Sequence, residues 1–192
     1  MQTWAIWAIF NLDIGNFLSI CKVLARDNRE FMGQEIERKF LVRGDRWRTL
    51  AEGVEYRQGY MQRQKGCTVR VRLAGEQGFL TIKGKSVDIS RSEYEYPIPK
   101  SDALEMLENL CDRPQIIKKR YRIPHGNFIW EVDEFFGENS GLILAEIELT
   151  AADQEFPIPD WIAQEVTHES RYYNANLVSY PYRQWKPTEQ QP

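Results

Sequence analysis

From residue 34 to residue 150 the chain alternates apolar and polar positions with a period of two in eight successive runs, which predicts eight strands. In the first run, 34–42, Glu35, Glu37 and Lys39 share one face, while Ile36, Phe40 and Val42 take the other, with Arg38 as an exception among them. The second, 54–64, lines up Tyr56, Gln58, Tyr60 and Gln62. The third, 67–73, sets Val69, Val71 and Leu73 against Thr68, Arg70 and Arg72. Turn residues at 75–78 lead to the fourth, 79–85, where Leu80 and Ile82 oppose Thr81, Lys83 and Lys85. Residues 89–98 place Tyr94 and Tyr96 opposite Arg91, Glu93 and Glu95. Further on come 116–123, with Lys118, Arg120 and Arg122 on one face, and 128–136, with Trp130 and Val132 opposite Glu131 and Asp133. The last, 142–150, sets Ile143, Ala145, Ile147 and Leu149 against Glu146 and Glu148. Short turns join most of these runs, so the sheet is expected to be mostly antiparallel.

Elsewhere the period is helical. Asp45 is placed to cap a short helix over 46–50, and Ser101 to cap one in which Ala103, Leu104, Leu107 and Leu110 recur at helical spacing. Two more helices are predicted at 160–166 and 169–177, followed by a polar, proline-bounded tail, 186–192, expected to be disordered. The start of the chain reads differently. Residues 4–24 are fairly apolar, but Asn11, Asp13, Gly15 and Asn16 interrupt them and no basic residue precedes them as in a signal peptide. A start at Met32 would leave a complete domain of 32–192, so 1–31 are expected to be a dispensable extension. The rival reading is an amphipathic helix docked on the domain or on a membrane surface.

At 192 residues the chain suits one domain with a substantial core, and its 42% hydrophobic and 28% charged content is that of an ordinary globular protein. The net charge of −3 leaves no whole-chain basic field for nucleic acid, although a local basic pocket would not appear in that sum. Cys21, Cys67 and Cys111 are widely spaced, which fits reduced thiols in a cytoplasm. His125 and His168 are the only histidines, so a bound metal is expected to be a hard, oxygen-liganded one.

The polar face of the sheet changes the picture most. Seven of the eight runs carry two or more ionisable residues on one face, sorted by sign. Cations dominate at Arg70 and Arg72, Lys83 and Lys85, and Lys118, Arg120 and Arg122. Carboxylates dominate at Glu35 and Glu37, Glu93 and Glu95, Glu131 and Asp133, and Glu146 and Glu148. Glu35 and Glu37 lie about 7 Å apart along an extended strand and can converge on one divalent cation if another strand completes the oxygen shell. Taken alone, such a strand is more often the solvated side of an ordinary antiparallel sheet. Closed into a barrel with this face inward, eight strands would make about the smallest interior able to hold a small ligand. The apolar faces would pack outward against the helices. Clustered charges of that kind are costly to bury unless metal and a polyanion occupy them.

The run Glu35-Ile-Glu-Arg-Lys39 resembles the Glu-x-Glu-x-Lys signature of the CYTH domain, or triphosphate tunnel metalloenzyme superfamily. Family-like segments follow in family order: Tyr56 to Tyr60, Thr68 to Arg72, Leu80 to Gly84, Arg91 to Glu95, Ile117 to Tyr121, Asp133, Ala145 to Leu149, Glu165 to Thr167, and Arg171 to Asn174. The short form resembles the compact bacterial members associated with tripolyphosphate hydrolysis. The resemblance implies an α+β fold, an eight-stranded antiparallel β-barrel with flanking helices, which binds a triphosphate with Mg²⁺ or Mn²⁺ and hydrolyses it. It implies Glu35, Glu37, Glu146 and Glu148 as metal ligands, with Asp133 a further ligand or a water-orienting carboxylate. Lys39, Arg70, Arg72, Lys83, Lys85, Lys118 and Arg120 would line the phosphate path, and Lys39, Tyr60 and Asp133 would serve catalysis. Tyr60 either donates to a phosphate or simply packs. Arg122 and Glu131 are as readily a plain cross-strand ion pair, and Lys85 is as readily exposed in a loop. The implied partner is a triphosphate-bearing small molecule, with neither nucleic acid nor membrane, and a homodimer stays open. Adenylate cyclase or thiamine triphosphatase chemistry, or non-catalytic polyphosphate binding, are the alternatives on the same fold.

Overall fold

Alternation turns into hairpins where a glycine supplies a positive φ. Gly75 (φ 54°) and Gly126 (φ 61°) each open a two-residue loop, between the partners Ala74 and Gln77 and between His125 and Phe128. The computed structural model describes residues 35–64, 66–85 and 90–190; the extension 1–31 lies outside them. The strands are β1 (Glu35–Val42), β2 (Gly53–Gln64), β3 (Cys67–Ala74), β4 (Gln77–Gly84), β5 (Ser90–Arg91), β6 (Glu93–Ile98), β7 (Ile116–His125), β8 (Phe128–Phe136), β9 (Ile143–Glu148) and β10 (Ile162–Glu165). Two α-helices, α1 (Lys100–Asn109) and α2 (Asn174–Ser179), complete an α+β architecture. Every ladder is antiparallel.

The expected eight-stranded closed barrel is corrected. The strands form an open path of nine, β10-β1-β9-β8-β7-β2-β3-β4-β6, and β5 pairs with β1 off that path. Two departures from the local pattern account for this. The run 89–98 breaks at Ser92, whose carbonyl accepts from Gly84 N–H, so that Ser90 and Arg91 leave β4 and pair with Ile36 and Glu35. Residues 160–166 are also no helix: Trp161, Ile162 and Val166 mimic helical spacing, but this segment supplies the edge ladder of β1, as in Arg43 N–H to Trp161 O at 2.9 Å. Tertiary pairing overrides a short local periodicity.

The other helical expectations shift as well. α1 begins at Lys100 behind Pro99, and Ser101 makes no cap; its hydroxyl bonds Asp102 instead. Ala103 and Leu107 are buried, whereas Leu104 and Leu110 are exposed. Residues 46–49 are a 3-10 turn that buries Trp47, and Asp45 pairs with Arg48 rather than capping. Residues 169–177 split into a 3-10 turn, Ser170–Tyr172, and α2. The tail is ordered through Gln190, which bonds the carbonyls of Tyr182 and Trp185.

The outward apolar faces are covered in two places. Phe40, Trp47, Tyr121, Trp130, Val132, Ile147, Trp161 and Ile162 form one cluster, and Ala103 and Leu107 of α1 cover Val71 in another. A third cluster was not expected. Ile116, Phe135, Leu144 and Tyr60 lie on the same strand faces as the charged residues, and Leu177, Val178, Tyr182 and Trp185 pack against them. One end of the inward face is therefore apolar and filled by the C-terminal segment.

Candidate active site

The site begins at the register between β1 and β9, which places Glu37 opposite Glu148 and Lys39 opposite Glu146. Lys39 is 4% exposed, and its ammonium sits between two carboxylates, 2.5 Å from Glu37 Oε1 and 2.5 Å from Glu146 Oε1. Burial alone would lower the Lys39 pKa, but Glu146 and Glu37 outweigh it and hold the amine firmly protonated. Burial pushes Glu146 upward, and Lys39, Arg120 and Lys118 overcome it and keep the carboxyl well below its usual range.

From Glu146 the charges continue across β7 and β8. Arg120 donates to Glu146 Oε2 at 2.7 Å, to Asp133 Oδ1 at 2.7 Å and Oδ2 at 2.5 Å, and to Glu131. Lys118 donates to Asp133 Oδ2 at 2.5 Å, and Asp133 has no exposure at all. Lys118 shifts opposite to Lys39. Burial and the nearby Arg120 outweigh Asp133 and Glu146, and its pKa is lowered to about 8.

A second set lies on β3, β4 and β6. Arg72 donates to both oxygens of Glu95, at 2.7 and 2.9 Å, and Arg70 reaches Glu95 at 3.3 Å and Thr81 Oγ1 at 3.2 Å. Thr81 in turn donates to Glu95 Oε2 at 2.7 Å, and Lys83 lies 2.7 Å from Glu93. Burial and Arg70 lower the pKa of Arg72. The Nε atoms of Arg70 and Arg72 are buried without an acceptor, as is Gln58 Oε1 without a donor. Tyr56 joins the two sets, its ring lying 5.4 Å from the Arg72 guanidinium, 5.5 Å from that of Arg120 and 6.0 Å from the Lys118 ammonium.

Tyr60 shows how far the sheet curls. Its hydroxyl accepts from Gln58 Nε2 at 3.2 Å; burial raises its pKa, and Arg70, Arg91 and Lys39 partly offset that. Lys39 is on β1, with β9, β8 and β7 between it and β2 in the path, so both belong to one interior.

Some residues of the expected inward parity lie away from these two sets, and one is not described. Lys85 is exposed beyond the end of β4, because the strand stops at Gly84. Arg122, with a side chain 66% exposed, forms the plain cross-strand pair with Glu131 at 3.2 Å. Gln62 is exposed, because the β2 register shifts between Tyr60 and Gln62. Glu148 is exposed at the end of β9, and the Glu35 side chain lies outside the described residues. Glu37 and Glu148 stand on neighbouring strands. Among the described residues no three His, Cys, Asp or Glu side chains gather where they could hold a metal. The expected list also missed residues. Glu93, Glu95 and Thr81 share the inward parity of their strands, and Tyr56 the parity of Tyr60, which is the signal that could have found them.

The family described as the CYTH domain matches residues 33–182. The chain is 54% identical over 155 residues to a protein named inorganic triphosphatase from Acetivibrio thermocellus, covering 81% of this chain and 99% of that one. It is 37% identical over 153 residues to one of the same name from Nitrosomonas europaea, covering 75% and 96%. A crystal structure of an inorganic triphosphatase superimposes with a TM-score of 0.53 at 34% identity, over 75% of this chain and 93% of that one. No described helix is long and apolar enough to cross a membrane. With the family model spanning most of the chain and both relatives matched over nearly their whole length, the chain belongs to the CYTH domain family.

Proposed function

We propose that this chain is a metal-dependent inorganic triphosphatase, cleaving the phosphoanhydride bond of tripolyphosphate in the charged interior. The observation that carries the reading is one inward face that joins carboxylates at the β1–β9 register to six cations, Lys39, Arg70, Arg72, Lys83, Lys118 and Arg120, five of them buried and Arg72 nearly so. The names of the relatives from Acetivibrio thermocellus and Nitrosomonas europaea support it.

An all-carboxylate donor set with no histidine fits a hard divalent ion. Glu37 and Glu148 stand directly opposite each other across the β1–β9 register, so both carboxylates could turn to one cation there. Glu35, Glu37, Glu146 and Glu148 would hold Mg²⁺ or Mn²⁺. Bound there, the ion neutralises phosphate charge and lowers the cost of nucleophilic attack by water. The chain's own residues do the rest. Arg70 and Arg72 donate to non-bridging phosphate oxygens, beginning with the Nε–H groups that have no acceptor. Lys39, whose ammonium is held at the inward face between Glu37 and Glu146, would supply a positive charge to the phosphate. Asp133 anchors Lys118 and Arg120, holding both cations at the inward face. Tyr60, beside Lys39 and Arg70, has its own hydroxyl proton left to donate to a phosphate oxygen. Positioning and charge neutralisation of this kind are most of what phosphoryl transfer requires.

We place the chain in the cytoplasm, in line with the free thiols of Cys67 and Cys111, and assign the catalytic domain to residues 32–192. The test is phosphate release from tripolyphosphate, ATP, thiamine triphosphate and pyrophosphate, each with Mg²⁺ and with Mn²⁺. Tripolyphosphate should be cleaved fastest and pyrophosphate least. Equal or better turnover of ATP or thiamine triphosphate would move the assignment to an organic triphosphate.

A further inference from the structure

β1 and β10 pair through Phe40 with Glu165 and Val42 with Ile162, so the ladder ends one step short of Lys39. At that point the Lys39 main chain is held from both sides. Val166 N–H donates to Lys39 O at 2.8 Å, and Lys39 N–H donates to the hydroxyl of Thr167 at 3.0 Å. Thr167 is buried, and its hydroxyl stands where the next strand carbonyl would be. That hydroxyl is itself oriented. It donates to Glu165 Oε1 at 2.6 Å, and Glu165 is gripped by Arg38, through Nε at 2.8 Å and through the second guanidinium nitrogen. The Arg38 guanidinium lies over the rings of Phe40 and Phe156, 5.7 and 5.1 Å from their centroids. This is the work of the one charged residue that interrupts the apolar face of β1.

We propose that Thr167 is a positioning residue for Lys39, its hydroxyl aimed by Glu165 and Arg38, so that a network on the outer face sets where the inner ammonium sits between Glu37 and Glu146. The physical basis is that a lysine side chain has four rotatable bonds, and only a fixed main chain lets its ammonium meet two carboxylates at once. Losing Oγ1 leaves the buried Lys39 N–H without an acceptor, and the strand end moves to find one.

The inference rests on Lys39 acting on tripolyphosphate, and the experiment separates the two claims. Wild type, Thr167→Val, Thr167→Ser, Lys39→Ala and the double variant Lys39→Ala with Thr167→Val are compared. In phosphate release, Thr167→Val should lower kcat about tenfold with KM little changed, while Thr167→Ser restores it, as expected for one lost buried hydrogen bond. In the Lys39→Ala background the valine change should cost nothing further in kcat. Independently of any substrate, a ¹⁵N lysine-ammonium spectrum should show the Lys39 resonance, identified by its absence from Lys39→Ala. It should appear in wild type and Thr167→Ser and be lost or displaced in Thr167→Val. An unchanged Lys39 resonance in a folded Thr167→Val protein, or additive losses in the double variant, overturns the positioning role. Inactive wild type with the resonance lost on Thr167→Val would overturn only the triphosphatase reading.

Discussion

Lys39 and Lys118 are the same residue type, both buried and both on the inward parity of their strands, yet they are tuned in opposite directions. Lys39 has two carboxylates within 2.5 Å, whereas Lys118 shares Asp133 with Arg120, whose positive charge works against it. The Lys118 pKa is therefore lowered, to about 8. The folded protein loses that proton at a lower pH than the unfolded chain, where lysine titrates near about 10.4, so the stability this residue contributes rises with pH between those values. A bound polyanion reverses the balance by favouring the ammonium. Calorimetry in buffers of different ionisation enthalpy, at about pH 8.5, should find up to about one proton taken up with tripolyphosphate by the wild type beyond that taken up by Lys118→Met. Equal uptake by both would contradict the assignment. Asp133→Asn should be costly to the fold, lowering stability by about 3–5 kcal/mol in thermal or urea unfolding, because two buried cations lose their shared anion. Parity alone identified these side chains as inward. Which lysine has two carboxylates and which has half of one depends on cross-strand register, and a single sequence does not display that.

At the scale of elements, alternation located the strands from β1 to β9 within a few residues and missed the one that matters for Lys39. β10 is four residues long, and its Ile162, with the flanking Trp161 and Val166, mimics the spacing of a helix. What makes it a strand is the free edge of β1, which lies over a hundred residues earlier. The break at Ser92 was hidden for the same reason, since β5 answers to the start of β1 and not to its own neighbours. Where packing is local, the prediction is sharper. A Cβ on Gly59 of β2 would stand 2.6 Å from Cys111 Cβ and 3.2 Å from Leu107 Cδ2, so Gly59→Ala must push α1 away from the sheet. Unfolding of that variant should show a loss of about 1–3 kcal/mol, the usual cost of overpacking. A neutral result would mean that α1 is only loosely seated.

For the whole molecule, the inward face divides into a charged stretch and an apolar end that Leu177, Tyr182 and Trp185 fill. The charged stretch was legible because the signs are sorted by strand. The apolar end was not, because Ile116, Phe135 and Leu144 read as ordinary core and nothing local says that the C-terminal segment meets them. The family match begins at residue 33, and a chain begun at Met32 is expected to fold and to release phosphate at the full rate; loss of either would make residues 1–31 part of the domain. The central claim is that carboxylates at the β1–β9 register serve hydrolysis and not the fold. Glu148→Gln tests it most directly, since that side chain is exposed and stands opposite Glu37. Phosphate release from tripolyphosphate with saturating Mg²⁺ or Mn²⁺ should fall by about a hundredfold or more, as when a group stabilising transition-state charge is removed. The thermal midpoint should change little, because the side chain is exposed at the end of its strand. Near-normal turnover in folded Glu148→Gln protein would contradict the account.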